Sequence, residues 1–202
     1  MKGKGIGWIL LFSSWSIHLT FVLGGVIVFV GGALNSPGVA SMGAALSALS
    51  ACSWTQLENG GAWEMTILTM PISRKGLVLA RYIQALAASL VIGWIYMLAF
   101  RVLGNGADDG SGLMLMGYAM IITSLGLLLL YVDWDMELKK RLMSPLMMLT
   151  FLSDSWILRY WKWHGGDYRA SLETGWNWLW VSAAVMLISL IASLILERKR
   201  EW

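Results

Sequence analysis

Apolar and polar positions along this chain fall into long blocks, without the strict alternation of a half-buried strand. Residues 8–33 carry no formal charge, and neither do residues 38–57, although Gly, Ala and Ser dilute the hydrophobicity of the second block. Residues 77–100 are apolar apart from Arg81, and 113–132 are rich in Leu and Met. Residues 145–163 start apolar, contain Asp154 and finish in a Trp/Tyr cluster, whereas 176–196 are uncharged throughout. A hydrocarbon core about 30 Å thick is crossed by about 20 helical residues. Lipid offers the backbone no hydrogen-bond partners, which favours continuous helices. The pattern therefore predicts an all-α polytopic membrane protein, a single transmembrane domain over residues 1–202 with six spans.

Two features modify the first two spans. Lys2 and Lys4 before an apolar run resemble the start of a signal peptide. The run continues to about Leu34 with no clear small-x-small cleavage site, so a retained first span is expected. In the second span Ala40, Ala44, Ala48 and Cys52 recur every four residues and stack on one helix face. Small residues let helices approach closely in lipid. Such a stripe suits either packing within one bundle or a subunit interface or substrate-facing wall.

Composition narrows the class. Hydrophobic residues make up 57% of the 202, and charged residues only 13%, about half the usual share in soluble domains. A water-soluble fold of this size has too little interior for so much apolar surface. The 13 Trp residues suit the membrane–water interface. The net charge of +3 comes from short basic clusters between apolar blocks. No continuous basic face results, which argues against nucleic acid as a partner. The single cysteine, Cys52, excludes an intrachain disulfide and a Cys-based metal cluster.

The clusters also predict orientation. With both termini cytoplasmic, the inside segments hold Lys2, Lys4, Arg74, Lys75, Arg81, Lys139, Lys140, Arg141, Arg198, Lys199 and Arg200. The outside segments hold only Arg101, Arg159, Lys162 and Arg169. This positive-inside bias predicts a multi-pass protein of the cell membrane with both ends inside.

The connector between the second and third spans carries the most information. It reads ENGGAWEMTILTMPISRKGLVLARYI from Glu58 to Ile83. Trp63, Ile67 and Met70 recur at helical spacing and favour one apolar face. Pro71 stops a short helix there, and Ser73 is suited to cap the third span. Arg74 and Lys75 fall at headgroup level, where cations meet anionic lipid.

This segment resembles the permease subunits of type-2 ABC exporters, in the small six-span branch with a peptide-exporter-like connector. In that family the connector reads acidic–Gly–x–x–Glu, a short helix, Leu-x-x-Pro-[Ile/Leu/Val]-Ser-Arg, then [Arg/Lys]-Tyr early in span three. Glu58, Gly60, Glu64, Leu68, Pro71, Ile72, Ser73, Arg74, Lys75, Arg81 and Tyr82 occupy those places here. The likeness extends more loosely over the whole chain. It implies that the short helix is a coupling helix docking on an ABC ATPase subunit. It assigns Glu58, Trp63, Glu64, Thr66, Ile67, Pro71, Ser73 and Arg74 to that interface. An ordinary amphipathic connector with basic anchors is the alternative for the same residues. The chain has no GxxxxGK[ST] phosphate loop, so it is expected to be a transporter subunit and not an enzyme. No cofactor is expected on it, and ATP and Mg belong to the partner. The resemblance also implies a second copy of this chain or a related permease subunit.

Other residues are weighed against ordinary roles. Asp154, between Ser153 and Ser155, is an ionisable group at membrane depth and so a candidate for the substrate path. The WILRYWKW stretch after it also fits a re-entrant helix between spans five and six, which would bring Asp154 near the external mouth. His18 has no second His or carboxylate nearby in its span to form a proton relay, and two separated His residues, His18 and His164, do not suggest a metal site. The stretch from Asp133 to Met143 is a second candidate contact with the ATPase, or a solvated connector whose basic residues set topology. The 13 Met residues suit helix gaps or soft contacts with apolar cargo.

The expected function is the membrane subunit of an ATP-driven exporter of a hydrophobic or amphipathic substrate, a peptide being one such cargo. A branch serving cytochrome c maturation is built similarly but usually lacks the Ser-Arg after proline. The alternative from another class is a non-transporting membrane scaffold or sensor that recruits a cytoplasmic partner. An intramembrane enzyme ranks third, because no Gly-x-Ser, His-rich or paired-Asp motif lies at membrane depth.

Overall fold

In a computed structural model the described residues are 15–34, 36–58, 74–103, 110–132 and 172–199. They form five helices: α1 (Trp15–Ala33), α2 (Pro37–Glu58), α3 (Arg74–Leu103), α4 (Ser111–Tyr131) and α5 (Leu172–Lys199). Each falls on one of the uncharged or nearly uncharged blocks. The block at 145–163 and residues 8–14 lie outside the described residues. No strand occurs among the described residues. Three segments are long and apolar enough to cross a membrane: Lys75–Leu103, Ser111–Leu129 and Leu172–Glu197. Leu19–Ala33 and Gly38–Ala51 are shorter apolar stretches.

Local chemistry explains the turn between α1 and α2. Pro37 stands at the first helical position, where its missing N–H costs nothing and its fixed φ suits a helix. The Ser36 carbonyl accepts from the Ala40 N–H at 3.2 Å, and the Ser36 N–H donates to the Gly31 carbonyl at 2.8 Å. The second bond satisfies a carbonyl that the end of α1 would otherwise leave open.

Small residues then set the packing. Gly24 and Gly31 of α1 face Gly43 and Ala40 of α2 at backbone contact, so the two helices run antiparallel. Gly32 of α1 sits against Tyr96 and Ala99 of α3. Gly93 of α3 takes the Met116 side chain of α4, and Gly112 of α4 takes Met97 of α3. These contacts make α3 and α4 antiparallel. Gly175, near the start of α5, lies against Gly110 and Leu113 at the start of α4. Consequently α4 and α5 run parallel.

Two cores follow. One joins Val28 of α1, Ala40, Ala44 and Ala48 of α2, Ile92, Tyr96 and Phe100 of α3, and Leu115 and Ile122 of α4. The Tyr96 and Phe100 rings, one turn apart, stack with centroids 6.0 Å apart. The other joins Val78, Tyr82 and Ala85 of α3 to Met120, Leu127 and Tyr131 of α4 and Met186 of α5. Ala40, Ala44 and Ala48 are fully buried, so this part of the small-residue stripe packs within the bundle. Every residue from Ser111 to Met120 is buried, and the Met residues of α4 fill gaps between helices. Leu19, Val22 and Phe29 of α1, Ile83, Leu90 and Trp94 of α3, and Trp180, Ile188 and Ile191 of α5 are exposed. Side chains of this kind suit lipid as their solvent.

Candidate functional site

The beginning of α3 meets the ends of α4 and α5, and polar side chains concentrate there. Tyr82 is 2% exposed. Its hydroxyl lies 2.6 Å from Ser189 Oγ and 2.8 Å from Ser193 Oγ, both on α5. The two serines are four residues apart and so share one helix face. Ser189 Oγ donates to the Ser124 carbonyl of α4 at 2.7 Å. Each hydroxyl carries one hydrogen, which orders the chain. Ser189 spends its hydrogen on Ser124, so Tyr82 donates to Ser189 and accepts from Ser193. Three helices are joined by one directed run of hydrogen bonds.

Arg81, the neighbour of Tyr82, reaches α4 instead. Its Nη1 donates to the Tyr131 hydroxyl at 3.0 Å. The guanidinium carbon also lies 5.7 Å from the centre of the same ring, within cation–π range. Tyr82 and Glu197 are within electrostatic reach of the Tyr131 hydroxyl. Glu197, in the last turn of α5, is buried. Among the described residues the cluster thus holds one guanidinium, one acidic side chain and a set of hydroxyls. Its chemistry suits joining helices: every hydroxyl in the run is engaged with another helix. No group of three or more His, Cys, Asp or Glu that could hold a metal occurs among the described residues.

Compared with known protein families, residues 7–196 match the family described as ABC-2 family transporter protein. The chain belongs to this family. It is therefore a membrane-embedded permease subunit of an ABC transporter, a transport component without a catalytic role of its own. Membership implies an ATPase partner subunit in general terms. No curated protein and no solved structure matches the chain.

In this ABC-2 permease, Glu58 is the last residue of α2 and Arg74 the first of α3. The connector residues Trp63, Glu64, Thr66, Ile67, Pro71 and Ser73 lie outside the described residues, as does Asp154. The same holds for His164 and for Asp133 to Met143. Arg81 and Tyr82, matched to the family motif from sequence, are brought together with Tyr131, Ser124, Ser189, Ser193 and Glu197. The last five did not stand out in the sequence. Ser182, Ser189 and Ser193 do share a face at intervals of seven and four, a legible signal, but nothing local names Tyr82 as their partner.

Proposed function

We propose that the chain is the permease subunit of an ATP-driven exporter of hydrophobic or amphipathic molecules, a peptide being one such cargo. The connector at 58–73 acts as a coupling helix on the ATPase, with Glu64, Trp63 and Thr66 at the contact. The observation that carries this reading is the motif-bearing connector joining the end of α2 to the start of α3, inside the matched region at 7–196. Closure of the ATPase on ATP would move that connector and, through Arg74, the beginning of α3.

Six spans with both termini cytoplasmic complete the reading. The parallel course of α4 and α5 supports it. The chain leaves α4 at Tyr131, beside the start of α3, and enters α5 at the other end, beside Gly110. A fifth crossing at 145–163 returns it. Two permease subunits, from this chain alone or with a related one, would work with two ATPase subunits that bind ATP and Mg. Asp154, on the fifth crossing, is the candidate for the substrate path.

The deciding experiment is purification of the native complex in mild detergent, with mass spectrometry and an ATPase assay. A stoichiometric nucleotide-binding subunit that is lost in Glu64→Arg supports the reading. Absence of an ATPase across several detergents and lipids would sink it.

A further inference from the structure

We infer that Tyr82 is a positioning residue that makes α3, α4 and α5 one rigid body at the end where the connector enters. It thereby carries displacement of the connector to α5. The source of that displacement rests on the exporter reading above; the rigid tie rests on the hydroxyl geometry.

The connector joins α3 at Arg74, and Tyr82 follows eight residues later, about 12 Å along the helix axis. Over that length a helix transmits a push with little bending, so the push reaches Tyr82. What happens next depends on how α3 is held sideways. Among the helix pairs in contact, α3 and α5 touch least. Packing alone therefore resists sliding of α3 along α5 weakly. The Tyr82 hydroxyl is hydrogen-bonded to Ser189 and Ser193 of α5, the helix that α3 touches least. Ser189 then passes the tie to the backbone of α4. The hydroxyls of Tyr82, Ser189 and Ser193 are all buried, so water is not at hand to replace a broken bond. On the other side Arg81 binds Tyr131, and α3 is gripped by α4 and α5 within two adjacent residues.

Farther along α3 the contacts with α4 include side chains seated on glycines, Met116 on Gly93 and Met97 on Gly112. These contacts are made by flexible, unbranched Met side chains, which re-pack more readily than a hydrogen bond re-forms. The hydroxyl run has fixed donors and acceptors and does not slide without breaking. The bundle is thus pinned at the connector end.

The test uses the full-length chain with its copurified ATPase in lipid nanodiscs, in a Cys52→Ser background. Spin labels replace Leu79 on α3 and Ile195 on α5, both exposed. Distances are read by pulsed electron resonance without nucleotide and after ATP–vanadate trapping. The unmodified Tyr82 protein is expected to keep the α3–α5 distance within about 2 Å between the two states, as one rigid body does. Tyr82→Phe keeps the ring and removes only the hydroxyl. It is expected to let that distance change on trapping and to broaden the nucleotide-free distribution by about half. Ser193→Ala, should Tyr82→Phe fail to fold, is expected to act in the same direction. A distance that changes on trapping with Tyr82 intact would overturn the inference while leaving the exporter reading in place. Identical behaviour of the parent and both variants would overturn it as well. A complex without ATPase would remove the exporter reading and the transmission from the connector, while the rigid tie would still stand or fall on the nucleotide-free distributions of Tyr82, Tyr82→Phe and Ser193→Ala.

Discussion

Gly24 of α1 and Gly43 of α2 meet backbone to backbone. A methyl group on Gly24 would lie 2.8 Å from the Gly43 carbonyl oxygen, and one on Gly43 would lie 2.6 Å from the Gly24 carbonyl oxygen. Between these glycines the helices approach as closely as main chains allow, and Val28 and Ser47 fill the flanks. In lipid, where apolar burial gives helices little reason to associate, such van der Waals contact is a main source of stability.

Gly24→Ala is therefore expected to destabilise the bundle, by about 1–3 kcal/mol if it behaves as overpacking usually does. Adding Ser47→Ala should not restore stability, because the Gly43 carbonyl and the Ser47 amide are backbone atoms and stay in the way. Thermal unfolding in detergent measures both. Wild-type stability in the single variant would show that α1 and α2 separate at no cost.

Ser189 has two jobs in the hydroxyl run and Ser193 one. Ser189→Ala removes the acceptor for Tyr82 and the donor to Ser124, whereas Ser193→Ala removes one bond. Interhelical hydrogen bonds in membranes are worth about 0.6 kcal/mol on average. The expected order is thus Ser189→Ala the more destabilising, at about 1 kcal/mol. Equal melting temperatures for the two variants would contradict the bond order derived above.

Arg81 and Tyr131 interact through both a hydrogen bond and the ring face. Tyr131→Phe removes the first and keeps the second, so it should cost less than Tyr131→Leu, which removes both. The ring-face part is expected at about 0.5–1 kcal/mol. Arg81→Lys should not substitute fully, because the planar guanidinium both donates and stacks. Comparative thermal unfolding of the three variants ranks them.

Orientation is testable without knowledge of the cargo. In a Cys52→Ser background, a cysteine replacing Asp108 is expected to react with a membrane-impermeant maleimide applied to whole cells. One replacing Glu201 should react only after the cells are opened. The reverse pattern would invert the topology that the basic clusters predict.

The helices were largely legible in the sequence, and particular elements show why. Pro37–Glu58 exceeds the uncharged block at 38–57 by one residue at each end. The Arg74–Leu103 helix takes in the block at 77–100 and runs a few residues past both ends. The Ala40, Ala44 and Ala48 stripe was visible too, but not what it faced, since a subunit contact and an internal contact place the same demand on the sequence. Burial against Val28 and Tyr96 decides for the interior. Of the polar cluster, Arg81 and Tyr82 are marked in the sequence by the family motif alone.

For the five described helices, the apolar blocks and the basic clusters at their ends can be read from the chain alone. Bilayer thickness and the need to satisfy each backbone amide act on consecutive residues, so they leave a mark that can be read locally. That α4 and α5 pack side by side, that α3 touches α5 less than it touches its other neighbours, and that Tyr82 bridges α3 and α5 are set by the tertiary arrangement. Tyr82 and Ser189 are 107 residues apart. A hydrogen bond over that separation leaves no periodicity in the chain, because it depends on how two helices meet and on nothing in the residues between them.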